Sequence, residues 1–173
     1  MIELKDICIV LPTHPSGMLY HQLARYVQRF PRVLELQPQE GYQSVPTMRN
    51  RVMHEIVLPT KVEWYCFLDN DLRPDQRLDD LFTAPGDIVG AKYVLQNPNA
   101  FADPNVVHCG AIRFHRKVIE AMTPPYFQYQ FDDRQTKLLA CECVGFCRRA
   151  VELGFKINRA GFSEHANLRT YCG

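Results

Sequence analysis

Two aspartates separated by one residue follow an aromatic-rich apolar run near the middle of the chain. The run is Trp64–Leu68, and the residues Asp69, Asn70 and Asp71 come directly after it. On an extended segment, side chains two positions apart project to the same side. Two carboxylates placed in this way offer hard oxygens to Mg²⁺ or Mn²⁺, cations that also bind phosphate oxygens. The same three residue types make a good surface turn, so the spacing alone leaves both interpretations open.

The elements that precede these aspartates determine where they lie. The apolar runs predict strand, helix, strand, helix and strand, an order typical of a parallel sheet with covering helices. Ligands bind beyond the carboxyl ends of the strands in such sheets, so Asp69 and Asp71 are expected at that edge. The predicted elements are a strand at Ile7–Leu11, a helix over residues 17–30, a strand at Val33–Leu36, a helix at Pro46–Val57 and a strand at Trp64–Leu68.

The second half of the chain has a less regular pattern. Gly154 suits the C-terminal end of a helix, because glycine readily adopts the left-handed conformation found there. All the elements together predict one α/β domain over residues 1–173, with a mostly parallel mixed sheet flanked by helices. The predicted elements of this half are strands at Asp87–Ala91, Val106–Phe114 and Phe155–Ile157, and helices at His115–Met122 and Leu138–Leu153.

The composition is that of a soluble globular protein. Apolar residues make up 46% and charged residues 23%, and the formal net charge is +1. This balance, without a run of Lys and Arg, argues against a nucleic-acid or membrane-surface partner. No apolar run is long enough to span a bilayer, and the N-terminus lacks a signal-peptide pattern. The seven cysteines do not follow the spacings of a disulfide scaffold, which favours reduced thiols and a cytoplasmic location.

Three of the cysteines are close together in the sequence. Cys141, Cys143 and Cys147 would suit a zinc site, but no second Cys or His pair at finger-like spacing accompanies them. Cys143 and Cys147 are four residues apart and therefore share one face of a helix. This spacing favours core packing, in which cysteine behaves as a small hydrophobic residue.

Several segments resemble, in order, the glycosyltransferases of the GT-A fold, especially the inverting family 2. That family has an aromatic-rich strand that ends in a D-x-D motif with a proline after it, and the segment from Phe67 to Pro74 is similar. The resemblance extends from about residue 6 to about residue 168. The other similar segments are Met48 to Arg51, His108 to Arg116, Glu142 to Ala150, the pair Gly154 and Phe155, and Ser163 to Ala166, which contains His165.

The resemblance implies a role for individual residues. Asp69, Asp71 and His165 would hold Mn²⁺ or Mg²⁺, and Glu142 would be the general base that deprotonates an acceptor hydroxyl. The implied activity is inverting transfer of a hexose from a UDP- or GDP-sugar to an unknown acceptor, and a homo-oligomer is compatible with it. The implied nucleotide-sugar contacts are Thr13, Arg49, Asn70 and Gly110.

One departure from the family pattern keeps an alternative open. Cys143 stands where the family has its second acid, so a non-catalytic nucleotide-sugar-binding domain that lost its base is the main alternative. A nucleotidyltransferase of related fold would need a glycine-rich phosphate loop after the first strand, and Pro12 to Gly17 contains one glycine. A metal-dependent nuclease would also use paired carboxylates, but it should carry a more basic surface.

Overall fold

The structure is a computed structural model that describes residues 2–12, 21–36, 44–93 and 103–165. No helix among these residues is long and apolar enough to cross a membrane. The strands are β1 (Ile7–Pro12), β2 (Val33–Leu36), β3 (Trp64–Leu68), β4 (Leu72–Arg73), β5 (Ile88–Tyr93), β6 (Ala111–His115), β7 (Gln130–Phe131), β8 (Leu138–Ala140) and β9 (Ile157–His165). The helices are α1 (His21–Val27), α2 (Val45–Val52), which continues as a π-helical turn at Met53–Val57, α3 (Asp80–Thr83), α4 (Arg116–Ala121) and α5 (Glu142–Glu152).

Seven of the strands form one mixed sheet in the order β2-β1-β3-β6-β5-β9-β4. The pairs β1–β2, β1–β3 and β5–β9 are parallel, whereas β6 runs antiparallel to both neighbours and β4 runs antiparallel to β9. Five of the seven strands therefore point in the same direction. Strands β7 and β8 form a separate hairpin. The predicted mostly parallel mixed sheet with flanking helices is confirmed.

The sheet is buried on both faces, which explains why its central strands are continuous apolar runs. Every residue of β1 is buried, and β3 is buried from Tyr65 onward. Alternate residues pack into two different core clusters, as the two-residue repeat of a strand requires. Cys8, Val10, Tyr65 and Phe67 belong to the cluster under α2, α4 and α5, while Ile7, Ile9, Cys66 and Leu68 belong to the cluster that includes residues of α1 and α3.

Local sequence signals define the ends of two helices near the candidate site. Ser44 caps α2, because its hydroxyl accepts a hydrogen bond from the backbone N–H of Thr47 at 3.3 Å. Pro46 lies in the first turn, where a missing N–H costs nothing. Gly154 has a φ of 85° just after α5, as the sequence predicted for the end of that helix.

The predicted strand at Val106–Phe114 is wrong in its first half, because β6 begins only at Ala111. The reason lies in the backbone donors before that residue. The N–H of Val107 donates to the sulfur of Cys147 at 3.4 Å, and the N–H of Cys109 donates to the sulfur of Cys143 at 3.3 Å. These two groups are therefore committed to α5 rather than to a strand ladder.

The predicted helix at Leu138–Leu153 begins four residues later than expected. Leu138–Ala140 forms β8 and pairs with β7, and α5 starts at Glu142. The carboxylate of Asp132 stabilises the hairpin tip by accepting hydrogen bonds from the N–H groups of Thr136 at 2.7 Å and Lys137 at 3.0 Å.

The last strand is longer than the predicted Phe155–Ile157. Strand β9 pairs with β5 in parallel and then with β4, so it extends through polar residues to His165. Pairing with distant strands, rather than local propensity, sets its length.

Candidate active site

A buried arginine lies where three elements converge at the carboxyl end of β3. Arg49 belongs to α2, Asp69 follows β3, and Glu142 is the first residue of α5. The Arg49 side chain is 2% exposed. One terminal nitrogen, Nη2, donates to Asp69 Oδ1 at 3.1 Å and to Oδ2 at 3.4 Å, and Nη1 donates to Glu142 Oε1. A single guanidinium therefore holds two carboxylates from different parts of the chain.

The charges of this triad do not cancel. Burial on its own lowers the pKa of Arg49, but the carboxylates of Asp69 and Glu142 outweigh that effect and raise the pKa well above its ordinary value. Arg49 is therefore permanently cationic. One positive and two negative groups leave the triad with a net negative charge, which favours the approach of a further cation.

The segment that contains the paired aspartates is a turn, not an extended strand end. The backbone N–H of Leu72 donates to the carbonyl oxygen of Asp69 at 3.2 Å, and this bond closes the turn. Of the two interpretations that the spacing left open, the backbone of this segment adopts the turn. The turn does not exclude a site, because the Asp69 side chain is directed at Arg49 and is still 24% exposed.

Gly110 provides the space that the Asp69 carboxylate occupies. A Cβ atom at position 110 would lie 2.7 Å from Asp69 Oδ2 and 3.0 Å from His108 Nδ1. The backbone of the two segments is also joined, since the N–H of Asp69 donates to the carbonyl of Gly110 at 2.7 Å. His108, to which the sequence assigned no role, accepts a hydrogen bond from the N–H of Gly110 at 3.0 Å. Any side chain at position 110 would displace one of these groups.

Glu142 is 5% exposed and has two partners on one oxygen. Its Oε1 accepts from Arg49 and also from the thiol of Cys143 at 3.5 Å. The general-base role remains a prediction. A proton taken from an acceptor would have to compete with the Arg49 guanidinium for this carboxylate.

The remaining predicted site residues are His165, Asn70, Asp71 and Thr13. The register of β4 with β9 sets His165 opposite Leu72, the residue that follows Asp71. Asn70 and Asp71 are half-buried. Thr13 lies outside the described residues. The structure thus brings together Arg49, Asp69, Gly110 and Glu142, and the ligand and nucleotide roles of all these residues remain predictions.

Sequence reasoning did not foresee that Arg49 would be buried between carboxylates. The helical spacing did contain an indication of this. Arg49 stands three and four residues before Val52 and Met53, so it shares their apolar stripe on the helix, and both of those residues are fully buried. Arg51 lies off this stripe and pairs with Glu55 at 2.9 Å in the surface arrangement expected four residues apart. The position of an arginine relative to the apolar stripe was therefore the informative feature.

No protein-family model and no curated protein sequence matches this chain. Solved structures do match it in fold. Protein A197 from STIV superimposes with a TM-score of 0.62 at 16% identity, covering 91% of this chain and 82% of that one. The inositol-1-phosphate CTP transferase from T. maritima gives a TM-score of 0.50 at 10% identity, covering 95% and 90%.

A third match is looser still. A glycosyltransferase involved in the glycosylation of the major capsid of PBCV-1 has a TM-score of 0.44 at 14% identity, covering 66% of this chain and 62% of that one. This value is too low to support a conclusion of its own. At these identities the two stronger likenesses establish the fold alone. The GT-A-like fold inferred from the sequence motifs is confirmed at that level.

Proposed function

We propose that this protein is a metal-dependent glycosyltransferase that moves a hexose from a nucleotide-diphosphate-sugar to an acceptor hydroxyl. The observation that carries the proposal is the triad of Arg49, Asp69 and Glu142, assembled from three elements at the carboxyl edge of a GT-A-like sheet. Sites of α/β sheets lie at this edge. Burying an arginine and two carboxylates also costs desolvation free energy, so this triad is better explained by a function than by stability.

The donor set suits Mn²⁺ or Mg²⁺. Asp69 and Asp71 supply hard carboxylate oxygens, the triad carries excess negative charge, and the strand register brings His165 level with the residue after Asp71. When bound, such a cation would neutralise the negative charge that develops on a departing nucleoside diphosphate. We assign Asp69, Asp71 and His165 as the residues that would hold it.

The chain's own residues would perform the rest of the reaction. Arg49 keeps the Asp69 carboxylate at its position beside Gly110, so it would act as a positioning residue for that carboxylate. Glu142 would take the proton of the acceptor hydroxyl as that oxygen attacks the sugar from the face opposite the diphosphate. This geometry gives inversion, the outcome that the family 2 resemblance favours. The proposed contacts to the nucleotide-sugar stay Thr13, Arg49, Asn70 and Gly110.

A second candidate is a nucleotide-sugar-binding domain without turnover. The specific observation in its favour is that Glu142 Oε1 already accepts hydrogen bonds from Arg49 and Cys143. That oxygen is therefore already committed to two donors. This candidate predicts metal-dependent donor binding with no release of nucleoside diphosphate.

Release of nucleoside diphosphate from UDP- and GDP-hexoses, with and without Mn²⁺, tests the first proposal. We expect the wild-type protein to release one of the two nucleotides slowly, with water as the acceptor, and only when the metal is present. Asp71→Asn should abolish release. Glu142→Gln should lower it by about a hundredfold, the contribution typical of a general base.

Asp80→Asn is the matched control, since Asp80 is an exposed acid on α3 and its loss changes the net charge by the same amount. Binding of the donor without any release in the wild type would favour the second candidate. Release that is equally fast in Asp71→Asn and in wild type would contradict the assignment of this site.

A further inference from the structure

Cysteines gather around the first turns of α5. All the cysteines among the described residues are buried and unbridged. Cys8 and Cys66 lie in the central strands β1 and β3. The remaining four, Cys109, Cys141, Cys143 and Cys147, lie on or against α5, and two of them, Cys141 and Cys143, flank Glu142.

Two thiols and one carboxylate are close enough to share an ion. The sulfurs of Cys141 and Cys143 and a carboxylate oxygen of Glu142 all lie within 4.8 Å of one another. Tetrahedral zinc with zinc–sulfur bonds of about 2.3 Å places its sulfur ligands about 3.8 Å apart. Closing these atoms around an ion therefore takes shifts of about 1 Å.

Cys109 approaches this cluster from a different segment of the chain. Its backbone N–H donates to the Cys143 sulfur at 3.3 Å. A donor of this kind stabilises an electron-rich sulfur, as outer-shell hydrogen bonds do in metal sites. Two sulfurs and one oxygen therefore form the ligand set, and Cys109 supports one of the two sulfurs from outside it.

The surroundings of the cluster act on the thiols in both directions. Burial raises the pKa of the neighbouring Cys109 thiol, and the charge of Arg49 opposes that shift. Cys141 and Cys143 also stand at the start of α5, where the helix dipole favours negative groups. A bound dication would be surrounded by negative ligands, and Arg49 would offset part of their charge.

Cys147 has a different role from the other three. Its sulfur accepts from the N–H of Val107 at 3.4 Å and donates to the carbonyl of the same residue at 3.7 Å. It is 0% exposed and one helical turn beyond Cys143. Cys147 therefore docks α5 against the segment before β6 and lies outside the ligand set.

We propose that Cys141, Cys143 and Glu142 form a binding site for a thiophilic dication such as Zn²⁺ or Cd²⁺. This site is separate from the carboxylate site at Asp69 and Asp71. Binding replaces the thiol protons with metal–sulfur bonds and releases those protons to solvent. The ion also takes the Glu142 carboxylate away from Arg49. The proposal does not depend on the glycosyltransferase activity, because ion binding is measured without any nucleotide.

Titration of the reduced, folded protein with Co²⁺ tests the site through the thiolate-to-cobalt charge-transfer band. Competition with Zn²⁺ then gives the zinc affinity. We expect one ion per chain, with Zn²⁺ affinity at least about tenfold weaker in Cys141→Ser and in Cys143→Ser. Cys147→Ser is the matched control, in the same helix and equally buried, and it should bind as the wild type does. Asp71→Asn should also keep the band.

Absence of the band in folded wild-type protein would overturn the proposal. Equal affinities in Cys141→Ser, Cys143→Ser and Cys147→Ser would overturn it too, as would loss of the band in Asp71→Asn, which would show that the thiol site is not separate from the carboxylate site. Circular dichroism checks that each variant is folded. Should Cys143→Ser fail to fold, Cys141→Ser decides the matter, since Cys141 lies closer to the surface at 7% exposure.

Discussion

Two arginines in the described part of the chain are almost wholly buried, and their surroundings differ in kind. Arg49, 2% exposed, lies between the carboxylates of Asp69 and Glu142. Arg113, 0% exposed and part of β6, pairs with no carboxylate in the described part of the chain. Its guanidinium donates to three backbone carbonyls, those of Phe82 at 2.5 Å, Ala84 at 2.7 Å and Gly86 at 3.2 Å, and it stacks over Trp64 at 4.6 Å.

The difference separates a site from a structural brace. The carboxylates raise the pKa of Arg49 well above its ordinary value, whereas burial lowers the pKa of Arg113 to about 10. Arg113 satisfies carbonyls at and after the end of α3 and so stabilises one turn. Arg49 leaves an excess of negative charge at the edge of the sheet. Burial of an arginine alone therefore does not indicate a functional site. Burial of an arginine between two carboxylates, which would otherwise repel each other, does indicate one.

Removal of the Arg49 guanidinium should give the largest effect. Arg49→Met leaves two carboxylates close together without a cation, and we expect the free energy of unfolding to fall by about 3–5 kcal/mol. Urea denaturation measures this change. Arg51→Met is the control on the same helix, and its exposed pair with Glu55 should cost at most about 0.5 kcal/mol. Equal losses of unfolding free energy in Arg49→Met and Arg51→Met would show that the buried triad stabilises the protein no more than a surface ion pair does.

Removal of the Arg113 guanidinium should destabilise the protein without affecting the site. Arg113→Met leaves buried carbonyls without donors, at a cost of about 1–3 kcal/mol. Under conditions where the variant is folded, metal-dependent nucleotide binding should equal that of the wild type in calorimetric titration. A reduced nucleotide affinity in folded Arg113→Met would show that the two regions are coupled.

A methyl group at position 110 should weaken the site more than the fold. Gly110→Ala sets its Cβ 2.7 Å from Asp69 Oδ2, so the carboxylate must move. We expect Mn²⁺-dependent nucleotide affinity to fall by about tenfold, or about 1.4 kcal/mol. Gly145→Ala is the matched control, because the nearest atom to its added Cβ is 3.5 Å away and alanine favours a helix. Unchanged affinity in Gly110→Ala would contradict the account of Asp69.

The smallest effect should be a pH dependence of the free energy of unfolding, caused by His115, which lies two residues after Arg113 in β6. The rings of Trp64 and His115 meet edge to face with their centroids 4.7 Å apart, and the neutral His115 Nδ1 accepts the N–H of Lys117 at the start of α4. Burial and the charge of Lys117 lower the pKa of His115 below 6.5, although Glu63, Asp87 and Glu120 oppose the shift.

His115 has a pKa of about 6.5 in the unfolded chain and a lower pKa in the folded protein. Between these two values the unfolded chain therefore binds more protons than the folded protein does. The free energy of unfolding therefore rises with pH in that window, and the stability is lost as pH falls from 6.5 through the folded pKa. We expect a loss of about 1 kcal/mol or less, the worth of a helix cap. His115→Asn keeps a capping oxygen without titrating, so its stability should change less between about pH 7.5 and about pH 5.5. An equal change in both proteins would rule out His115 as the cause.

The sequence predicted the parts of this fold that depend on local pattern. Strands β1 and β3 are continuous apolar runs, and the end of α5 follows from Gly154. It did not predict the length of β9, whose polar residues are ordered by pairing with β5. It also did not predict the triad, because the partners of Arg49 lie 20 and 93 residues away along the chain. The candidate residues were identifiable by type, but their contacts depend on the tertiary fold.

Calorimetric titration of UDP, GDP and CDP tests the central claim most directly, performed in Mn²⁺ and again in EDTA on wild-type protein and on Asp71→Asn. We predict that one of the three nucleotides binds the wild-type protein in Mn²⁺ and does not bind in EDTA, and that Asp71→Asn does not bind it under either condition. Failure of all three to bind the folded wild-type protein, or binding that is equal in Mn²⁺ and EDTA, would contradict a metal-dependent nucleotide-sugar site at this edge of the sheet.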